Sequence, residues 1–394
     1  MNSLQQTLKI INTNASPFTR AMCPIDTLDR HILAEDIAAD RDYPPFHRVA
    51  MDGVAIRYRD WELGMRQFRV RKTIYAGDIV EDEIGSGECF IIMTGAACLR
   101  GADVIVRKED IQYRGDLVDI ISSEIKCFQN IAKKGEDCLK GELIISAGTR
   151  CNPPLIAVLA AFGKSKVSVI QMPTTAVVTT GSEVVQIEQR ATVFQIRNSN
   201  GYLLQSMLKK WGILPEFNAH THDDKESLRA TLEIALKQKL VLINGGISVG
   251  EADFVLEVLQ DLDVEILFSR VAIRPGKPVT VGRSKNGTFV FALPGNPLSC
   301  MLTFILFVEH YLIACCGLRE QRALKASINF FRKNKSGLDE FFPVQFNSNG
   351  SELEELPSNG SGDITAALGA IGFGWHPKEL HELHPGQLIS YIPF

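Results

Sequence analysis

The stretch LVLINGGISVGEADF, residues 240–254, contains an apolar run that leads directly into a pair of glycines. A short run of branched apolar residues predicts a strand buried on both faces, and the glycines predict a tight turn after it. The segment that follows, FVLEVLQDL at residues 254–262, has apolar residues at helical spacing. A buried strand, a glycine turn and a helix in this order are typical of an α/β domain with a parallel sheet.

The same alternation extends on both sides of this stretch. Strands are predicted at residues 175–180, 214–219, 264–269 and 289–293, and helices at residues 199–212, after residue 223 and after residue 296. Parallel strands joined by helices require right-handed crossovers, which place helices on both faces of the sheet. We therefore expect a doubly wound, mostly parallel α/β domain over residues 171–322.

The flanking regions have a different character. Residues 68–126 and 323–394 contain short strand-like segments, separated in the first region by glycine turns. NPPLIAVLAAFG at residues 152–163 predicts a helix, with proline at its start and glycine after its end. The prediction is a multidomain α/β plus β protein. Its parts are an N-terminal linking domain (1–40 and 131–170), a β-rich inserted domain (41–130), the α/β domain (171–322) and a small β-barrel-like C-terminal domain (323–394).

Composition and charge argue against several classes of protein. Of the 394 residues, 45% are hydrophobic and 22% are charged, which is typical of globular domains. A net charge of −4 argues against a nucleic-acid surface, and the nine cysteines lack metal-ligand or disulfide-framework spacing. LTFILFVEHYLIACC at residues 302–316 is short and interrupted by a charge, so it predicts a buried helix and not a membrane span. We expect a cytoplasmic protein that binds neither nucleic acid nor membranes.

Four loops are expected at the carboxyl ends of strands, where open α/β sheets bind ligands. They are TTGSEV (179–184), NGGISVGEADF (244–254), RPGKPV (274–279) and LPGNPLS (293–299). Glycine lets backbone N–H groups approach phosphate oxygens, and Arg274 and Lys277 suit an oxyanion. Each loop alone is also compatible with an ordinary helix cap or a solvated turn. Together they predict a pocket for a phosphorylated, anionic ligand.

Acidic residues are candidates for a metal site. Asp52 lies in a Met-Asp-Gly turn, and Asp137 lies in KKGEDC. Asp223 and Asp224 precede a helix, for which Asp223 is the predicted N-cap. Carboxylates beside a polyanion repel it unless a divalent cation lies between them, so these acids indicate Mg²⁺.

Eight motifs in one order along residues 1–320 carry a family resemblance. They include VAMDGVAIR (49–57), IMTGA (92–96), KKGED (133–137) and the four loops. The chain resembles the molybdopterin molybdenumtransferase family, which contains bacterial MoeA and the E domains of gephyrin and its plant counterpart. The resemblance implies transfer of molybdate into adenylylated molybdopterin, with Mg²⁺, to give the molybdenum cofactor and AMP. It also implies a third domain similar to the molybdopterin adenylyltransferase. It implies a homodimer whose cleft joins the α/β domain of one subunit to the β-rich insertion of the other.

The resemblance implies roles for individual residues of this sequence. The implied catalytic residues are Asp52, Thr94, Asp137, Glu183, Asp224 and Lys277. The implied substrate-binding residues are Gly181, Ser182, Gly245, Gly246, Ser248, Gly250, Asp253, Arg274, Pro294, Pro297 and Ser299. Glu183 and Asp253 are the implied Mg²⁺ ligands. Ser182 stands where the family usually has aspartate, and Arg274 stands where it usually has lysine, so the metal site and molybdate binding depart from the usual pattern.

Two other functions fit some of the same motifs. An enzyme that adenylylates molybdopterin would use a similar α/β domain, but the additional domains and the MDG and RPGKP motifs disfavour it. A non-catalytic scaffold like gephyrin is disfavoured because the sequence shows no fused partner domain or linker. Tungstate stays open as an alternative to molybdate, and the adenylyltransferase is a candidate partner protein.

Overall fold

The computed structural model describes residues 1–247, 254–318 and 323–394. The chain divides into two compact units, which we call the larger and the smaller unit. The larger unit comprises Met1–Ala34, Gly148–Asn152 and Ser168–Phe394, and the smaller unit comprises Glu35–Ala147 and Pro153–Val167. The finer division into four domains stays a prediction.

A six-stranded sheet forms the centre of the larger unit. Its strands, in spatial order, are Phe217–Thr221, Thr175–Thr180, Leu240–Asn244, Phe289–Leu293, Thr280–Ser284 and Val264–Ser269. The first four are parallel to one another, and Thr280–Ser284 is antiparallel to both of its neighbours. The predicted mostly parallel α/β sheet is therefore confirmed.

The strand Thr280–Ser284 was not predicted, because its sequence TVGRS has few apolar residues and a central glycine. Close packing requires that glycine: a Cβ atom at Gly282 would lie 2.7 Å from Cγ1 of Val264 on the neighbouring strand. Glycine inside a strand commonly marks such an approach of neighbouring atoms, and it weakens the strand signal in the sequence.

Side chains of the sheet alternate between two apolar clusters. Val177 belongs to a cluster with the helix Ser199–Lys209, whereas its neighbour Val178 belongs to a cluster with the helices Lys225–Ala235 and Phe254–Asp261. Successive residues of a strand point to opposite faces. The sheet is therefore covered by helices on both faces, as a doubly wound arrangement requires.

Two further helices complete the helical part of the larger unit. Leu4–Asn14 begins with a capping box formed by Ser3 and Gln6. A long helix over Pro297–Cys315 is π-helical at Phe304–Glu309. This helix is long and apolar enough to cross a membrane, but 78% of its apolar window is buried inside the fold. The prediction of a buried helix in this region is confirmed.

A second sheet of the larger unit contains the C-terminal strands. In spatial order these are Ile273–Arg274, Asp339–Phe346, Gly372–His376, Leu388–Pro393 and Leu324–Ser327, and Leu353–Glu355 pairs with Asp339–Phe346. Separate pairs join Arg332–Lys333 to Glu382–Leu383 and Val184–Val185 to Ile196–Arg197. Because Ile273–Arg274 belongs to this sheet, the RPGKPV loop is anchored to the C-terminal strands. The barrel-like form of the region stays a prediction.

The smaller unit is strand-rich, as expected for residues 41–130. Its main sheet contains, in spatial order, Val104–Arg107, Gly53–Ile56, Glu88–Ile92, Gln67–Ile74, Leu117–Ile120 and Ile111–Arg114. Short pairs join Arg48–Val49 to Ile131–Ala132 and Ile37–Ala38 to Leu143–Ile145, and the helices are Tyr58–Glu62 and Pro153–Ala161. The remaining short elements of the chain are the strands Arg20–Pro24 and Lys166–Ile170 and the 3-10 turns Ile25–Thr27 and Lys108–Asp110.

Candidate active site

A cavity of about 1600 Å³ lies in the larger unit, at the carboxyl edge of the α/β sheet. All four predicted loops contribute to its lining. The predicted site residues among its lining are Gly181, Glu183, Gly245, Gly246, Arg274, Lys277, Pro294, Pro297 and Ser299. Ser182 is exposed and is not among the lining residues. Ser248, Gly250 and Asp253 lie outside the described residues.

The floor of the cavity is made of backbone at Gly245 and Gly246, which directly follow the strand Leu240–Asn244. Both glycines have positive φ, of 96° and 64°. A Cβ atom at Gly245 would lie 2.5 Å from the carbonyl oxygen of Thr180, and one at Gly246 would lie 2.7 Å from Cγ2 of Val255. Only glycine fits these positions, so the floor presents peptide groups directly to a ligand.

An asparagine pair supports this floor from below. The side-chain amide of Asn200 donates to Oδ1 of Asn244 at 2.9 Å and to the carbonyl oxygen of Gly295 at 2.6 Å. Asn244 in turn donates to the carbonyl oxygen of Pro294 at 2.7 Å. These bonds tie the glycine loop to the LPGNPLS loop. Asn244 begins the predicted loop at residues 244–254, whereas Asn200 was not predicted, although its place in the first helical turn after the N-cap Asn198 was a usable signal.

The RPGKPV loop reaches the same edge of the sheet by a route that the sequence did not predict. It lies in the connection between the antiparallel strands Val264–Ser269 and Thr280–Ser284, whose ends Ser269 and Thr280 are paired. Thr280 also pairs with Ala292 near the carboxyl end of Phe289–Leu293. Val264–Ser269 runs in the same direction as the four parallel strands, so the prediction that this loop lies at the carboxyl end of a strand of the sheet is confirmed; only the hairpin with Thr280–Ser284 was not predicted.

The two aspartates before the helix Lys225–Ala235 exchange their predicted roles. Asp224 is the N-cap, and its carboxylate accepts from the Ser227 N–H at 2.8 Å, so the prediction of Asp223 as N-cap was wrong. Hydrogen bonds from the backbone and hydroxyl of Ser227 lower the pKa of Asp224. Asp223 lines the cavity instead and accepts a hydrogen bond from the Thr180 hydroxyl. A catalytic role for Asp224 stays a prediction, and Asp223 becomes the better placed carboxylate.

The C-terminal region forms a wall of the cavity that the sequence did not predict. This wall includes Phe331, Lys335 and a cluster of three charged side chains. In the cluster, Arg332 binds Glu340, donates to Glu355 at 3.2 Å, and lies 4.3 Å above the ring of Phe342. Burial raises the pKa of Glu355. Burial also opposes ionisation of Glu340, but hydrogen bonds from Arg332 and Ser336 outweigh it and lower the pKa of that carboxyl.

The charges on the lining favour an anionic ligand. The cationic residues are Arg197, Arg274, Lys277, Arg332, Lys333 and Lys335, and the acidic residues are Glu183, Asp223, Glu340 and Glu355. Two of the four acids are bound by Arg332. Within the described ranges, Arg197, Arg274, Lys277 and Lys335 form no salt bridge. These cations are therefore available to bind phosphate or an oxyanion.

Three predicted residues, Asp52, Thr94 and Asp137, belong to the smaller unit. The carboxylate of Asp52 accepts from the Thr94 N–H at 2.8 Å and from the Thr94 hydroxyl at 2.7 Å. These two bonds lower the pKa of Asp52 below its ordinary value of 3.8, so the group is an anion at neutral pH. A Cβ atom at Gly53 would lie 1.9 Å from the carbonyl oxygen of Val106, so the Met-Asp-Gly turn needs its glycine. Asp137 is exposed and shares no described hydrogen bond with Asp52.

The described residues do not by themselves form a metal site. No group of three or more His, Cys, Asp or Glu side chains among them is arranged to hold an ion. Of the two implied Mg²⁺ ligands, Glu183 lines the cavity and Asp253 is outside the described ranges. Mg²⁺ binding therefore stays a prediction.

The fold and the cavity define a multidomain protein with a cation-lined cavity at the edge of an α/β sheet. Family models match in two places: "MoeA N-terminal region (domain I and II)" at residues 2–163 and "Probable molybdopterin binding domain" at residues 176–314. The chain is 31% identical over 402 residues to a molybdopterin molybdenumtransferase of Synechocystis sp., covering 99% of each sequence. It belongs to the molybdopterin molybdenumtransferase (MoeA) family, and the resemblance read from the motifs is confirmed.

Other comparisons agree with this assignment. A molybdopterin molybdenumtransferase of Staphylococcus aureus strain MRSA252 is 37% identical over 295 residues, which is 74% of this chain and 70% of the relative. The crystal structure of the molybdopterin biosynthesis MoeA protein of Pyrococcus horikoshii OT3 superposes over 100% of both chains, with a TM-score of 0.84 and 27% identity. The similarity thus includes the C-terminal region, where the motifs gave only a loose match.

Proposed function

We propose that this chain transfers molybdenum from molybdate to adenylylated molybdopterin, releasing AMP and the molybdenum cofactor. The observation that carries the proposal is a cavity in which glycine loops meet cations that have no salt-bridge partner among the described residues. Its volume of about 1600 Å³ suits a substrate with a nucleotide and a pterin better than a small oxyanion alone. Membership of the family supplies the chemical identity of that substrate.

The groups on the cavity edge account for binding of the phosphate link. Backbone at Gly245 and Gly246 is open to the cavity, and the long helix begins at Pro297 beside it. The Gly245 N–H donates to the carbonyl oxygen of Leu293 at 3.2 Å, so the N–H of Gly246 and the positive end of the helix dipole are the groups that favour an anion at this edge. Arg274 and Lys277 then hold molybdate by charge, and their stiff proline-containing loop limits the entropy lost on binding.

The chemical step follows from holding these groups together. Two thiolate sulfurs of molybdopterin form bonds to molybdenum, and two molybdate oxygens leave as water after protonation, without a change of oxidation state. One further water adds across the phosphoanhydride bond and releases AMP. The chain acts mainly by positioning, because bringing reactants together in the right geometry lowers the entropic part of the barrier.

Asp52 enters this proposal as a negatively charged acceptor. Its lowered pKa suits orientation of a water or a ligand N–H, and does not suit proton donation at neutral pH. Thr94 fixes the orientation of its carboxylate through both hydrogen bonds. Action of Asp52 across a homodimer, Mg²⁺ as cofactor, the adenylyltransferase as partner and a cytoplasmic location are predictions from the family resemblance.

The test is molybdate-dependent release of AMP from adenylylated molybdopterin by the purified chain, together with the activation of a molybdenum-free apoenzyme. Lys277→Ala removes a cavity cation and is expected to lower turnover roughly 10- to 100-fold, the range for a lost hydrogen bond to a charged group. Lys285→Ala is the matched control, because Lys285 pairs with exposed Asp263 in the hairpin turn at the opposite edge of the sheet. Equal rates for both variants, or no cofactor formed by the wild type, would contradict the proposal.

A further inference from the structure

The segment of residues 331–335, FRKNK, alternates in exposure along the cavity wall. Phe331, Lys333 and Lys335 are exposed, whereas Arg332 and Asn334 are half-buried. Side chains of an extended segment point alternately to opposite faces. An aromatic ring and two lysines therefore share one face, and all three line the cavity, as does Arg332 from the half-buried face.

This segment is held firmly in place. Arg332 and Lys333 pair in antiparallel register with Leu383 and Glu382. On the half-buried face, Arg332 is bound by Glu340 and Glu355, which fixes the strand, and the ring of Phe331 lies 5.3 Å from the ring of exposed His384. An aromatic side chain has only two rotatable bonds, so it loses little entropy when a ligand packs on it.

We propose that Phe331 stacks on a planar heterocycle of the substrate and that Lys335 binds the phosphate next to it. The inference rests on the proposed function, which provides a ligand containing both adenine and pterin rings. Either ring offers a π-face to an aromatic side chain, and stacking of this kind tolerates different bases. The C-terminal wall then recognises one end of the substrate, while Arg274 and Lys277 hold the molybdate.

Charge and exposure distinguish Phe331 from an ordinary surface phenylalanine. Single exposed apolar residues are common and need no ligand. Phe331, which is 55% exposed, differs because it lines the same cavity as the glycine floor and lies on one face with a lysine that has no salt-bridge partner among the described residues. Lys333 is the weaker candidate for phosphate because it pairs with Glu382 at 3.3 Å.

Isothermal titration of the full chain with two probes, AMP and neopterin, tests the inference and shows which ring is bound. Phe331→Ala is expected to weaken binding of one probe roughly tenfold, in line with stacking on a single ring, and Phe331→Tyr is expected to retain it. Lys335→Ala is expected to weaken AMP binding at low salt and to have little effect at high salt, where the charge is screened. Leu388→Ala, at an exposed position of the same C-terminal sheet outside the cavity lining, is the control.

A loss of affinity confined to AMP would show that Phe331 stacks on adenine, and a loss confined to neopterin would show that it stacks on the pterin. Either result supports the inference. Wild-type affinity of Phe331→Ala for both probes would overturn it, as would a wild type that binds neither probe. The outcome is separable from that of the proposed function. If the wild type formed no cofactor but Phe331→Ala still weakened binding of a probe, the proposed reaction would be contradicted and the stacking site at Phe331 would be supported.

Discussion

Two walls of the cavity differ in what forms their surface: the floor at Gly245 and Gly246 is a backbone wall, and the C-terminal region is a side-chain wall. On the α/β side, backbone at Gly245 and Gly246 forms the surface, and no side chain fits there. On the C-terminal side, Phe331 and the Arg332 cluster form the surface with side chains. We expect the backbone wall to tolerate almost no substitution. At the side-chain wall, we expect each lost contact to lower stability or binding by a limited amount.

The largest effect is expected at the backbone wall. Gly245→Ala combines a positive φ of 96° with a Cβ atom 2.5 Å from the carbonyl oxygen of Thr180. We expect the variant to lose roughly 2–5 kcal/mol of unfolding free energy, the sum of left-handed strain and overpacking, and to lose most of its turnover. Denaturant unfolding and the AMP-release assay measure the two effects.

Gly287→Ala separates the cost of backbone strain from the cost of the steric clash. Gly287 has a similar positive φ of 82°, but a Cβ atom there would meet nothing within 4 Å. The Gly287→Ala variant is expected to lose only about 1–2 kcal/mol of unfolding free energy and to keep its turnover unchanged. If Gly245→Ala lost no more unfolding free energy and turnover than Gly287→Ala, the close contact with the Thr180 carbonyl would have no effect. The expected intolerance of the backbone wall to substitution would then be contradicted.

An intermediate effect is expected at the side-chain wall. Arg332→Met leaves Glu340, whose side chain is only 6% exposed, without its cationic partner. Removing one member of a buried pair costs about 3 kcal/mol, and the partial exposure of Arg332 reduces this to about 2 kcal/mol. Unfolding free energy at neutral pH measures the loss. Arg229→Met, which breaks the exposed pair with Glu233, is the control and is expected to cost less than about 1 kcal/mol.

The pH dependence gives this experiment a second readout. In the wild type, the lowered pKa of Glu340 stabilises the fold above the unfolded pKa, and that contribution disappears as pH falls through the folded pKa. In Arg332→Met, burial is expected to raise the pKa of Glu340, so the variant gains relative stability as the carboxyl takes up a proton. The difference in unfolding free energy between the wild type and Arg332→Met should become smaller as the pH falls. A difference that stays constant with pH would contradict the explanation based on the charge of Glu340.

The smallest effect concerns Asp52, whose carboxylate receives one backbone and one side-chain hydrogen bond. Thr94→Val removes the hydroxyl and keeps the N–H, so the pKa of Asp52 is expected to rise and yet to remain below its ordinary value. NMR titration of the carboxyl group measures it, with Asp363, whose pKa is held at about 2 by local hydrogen bonds, as internal reference. An unchanged pKa of Asp52 would show that the backbone donor acts alone.

The same contrast explains what could be predicted from the sequence. A glycine pair after a buried apolar run is a local signal, so the floor at Gly245 and Gly246 was found. Residues 331–335 carry no such signal, because their face toward the cavity depends on pairing with distant Glu382 and Leu383. The exchange between Asp223 and Asp224 was missed because both are good N-caps and only the start of the helix distinguishes them.

The most direct test of the account is a crystal structure of the chain soaked with AMP and molybdate, recorded at the molybdenum absorption edge. The account predicts an anomalous peak beside Arg274 and Lys277, and AMP in the same cavity with its phosphate near the glycine floor or Lys335. Molybdenum and AMP bound elsewhere, with this cavity holding neither, would contradict it.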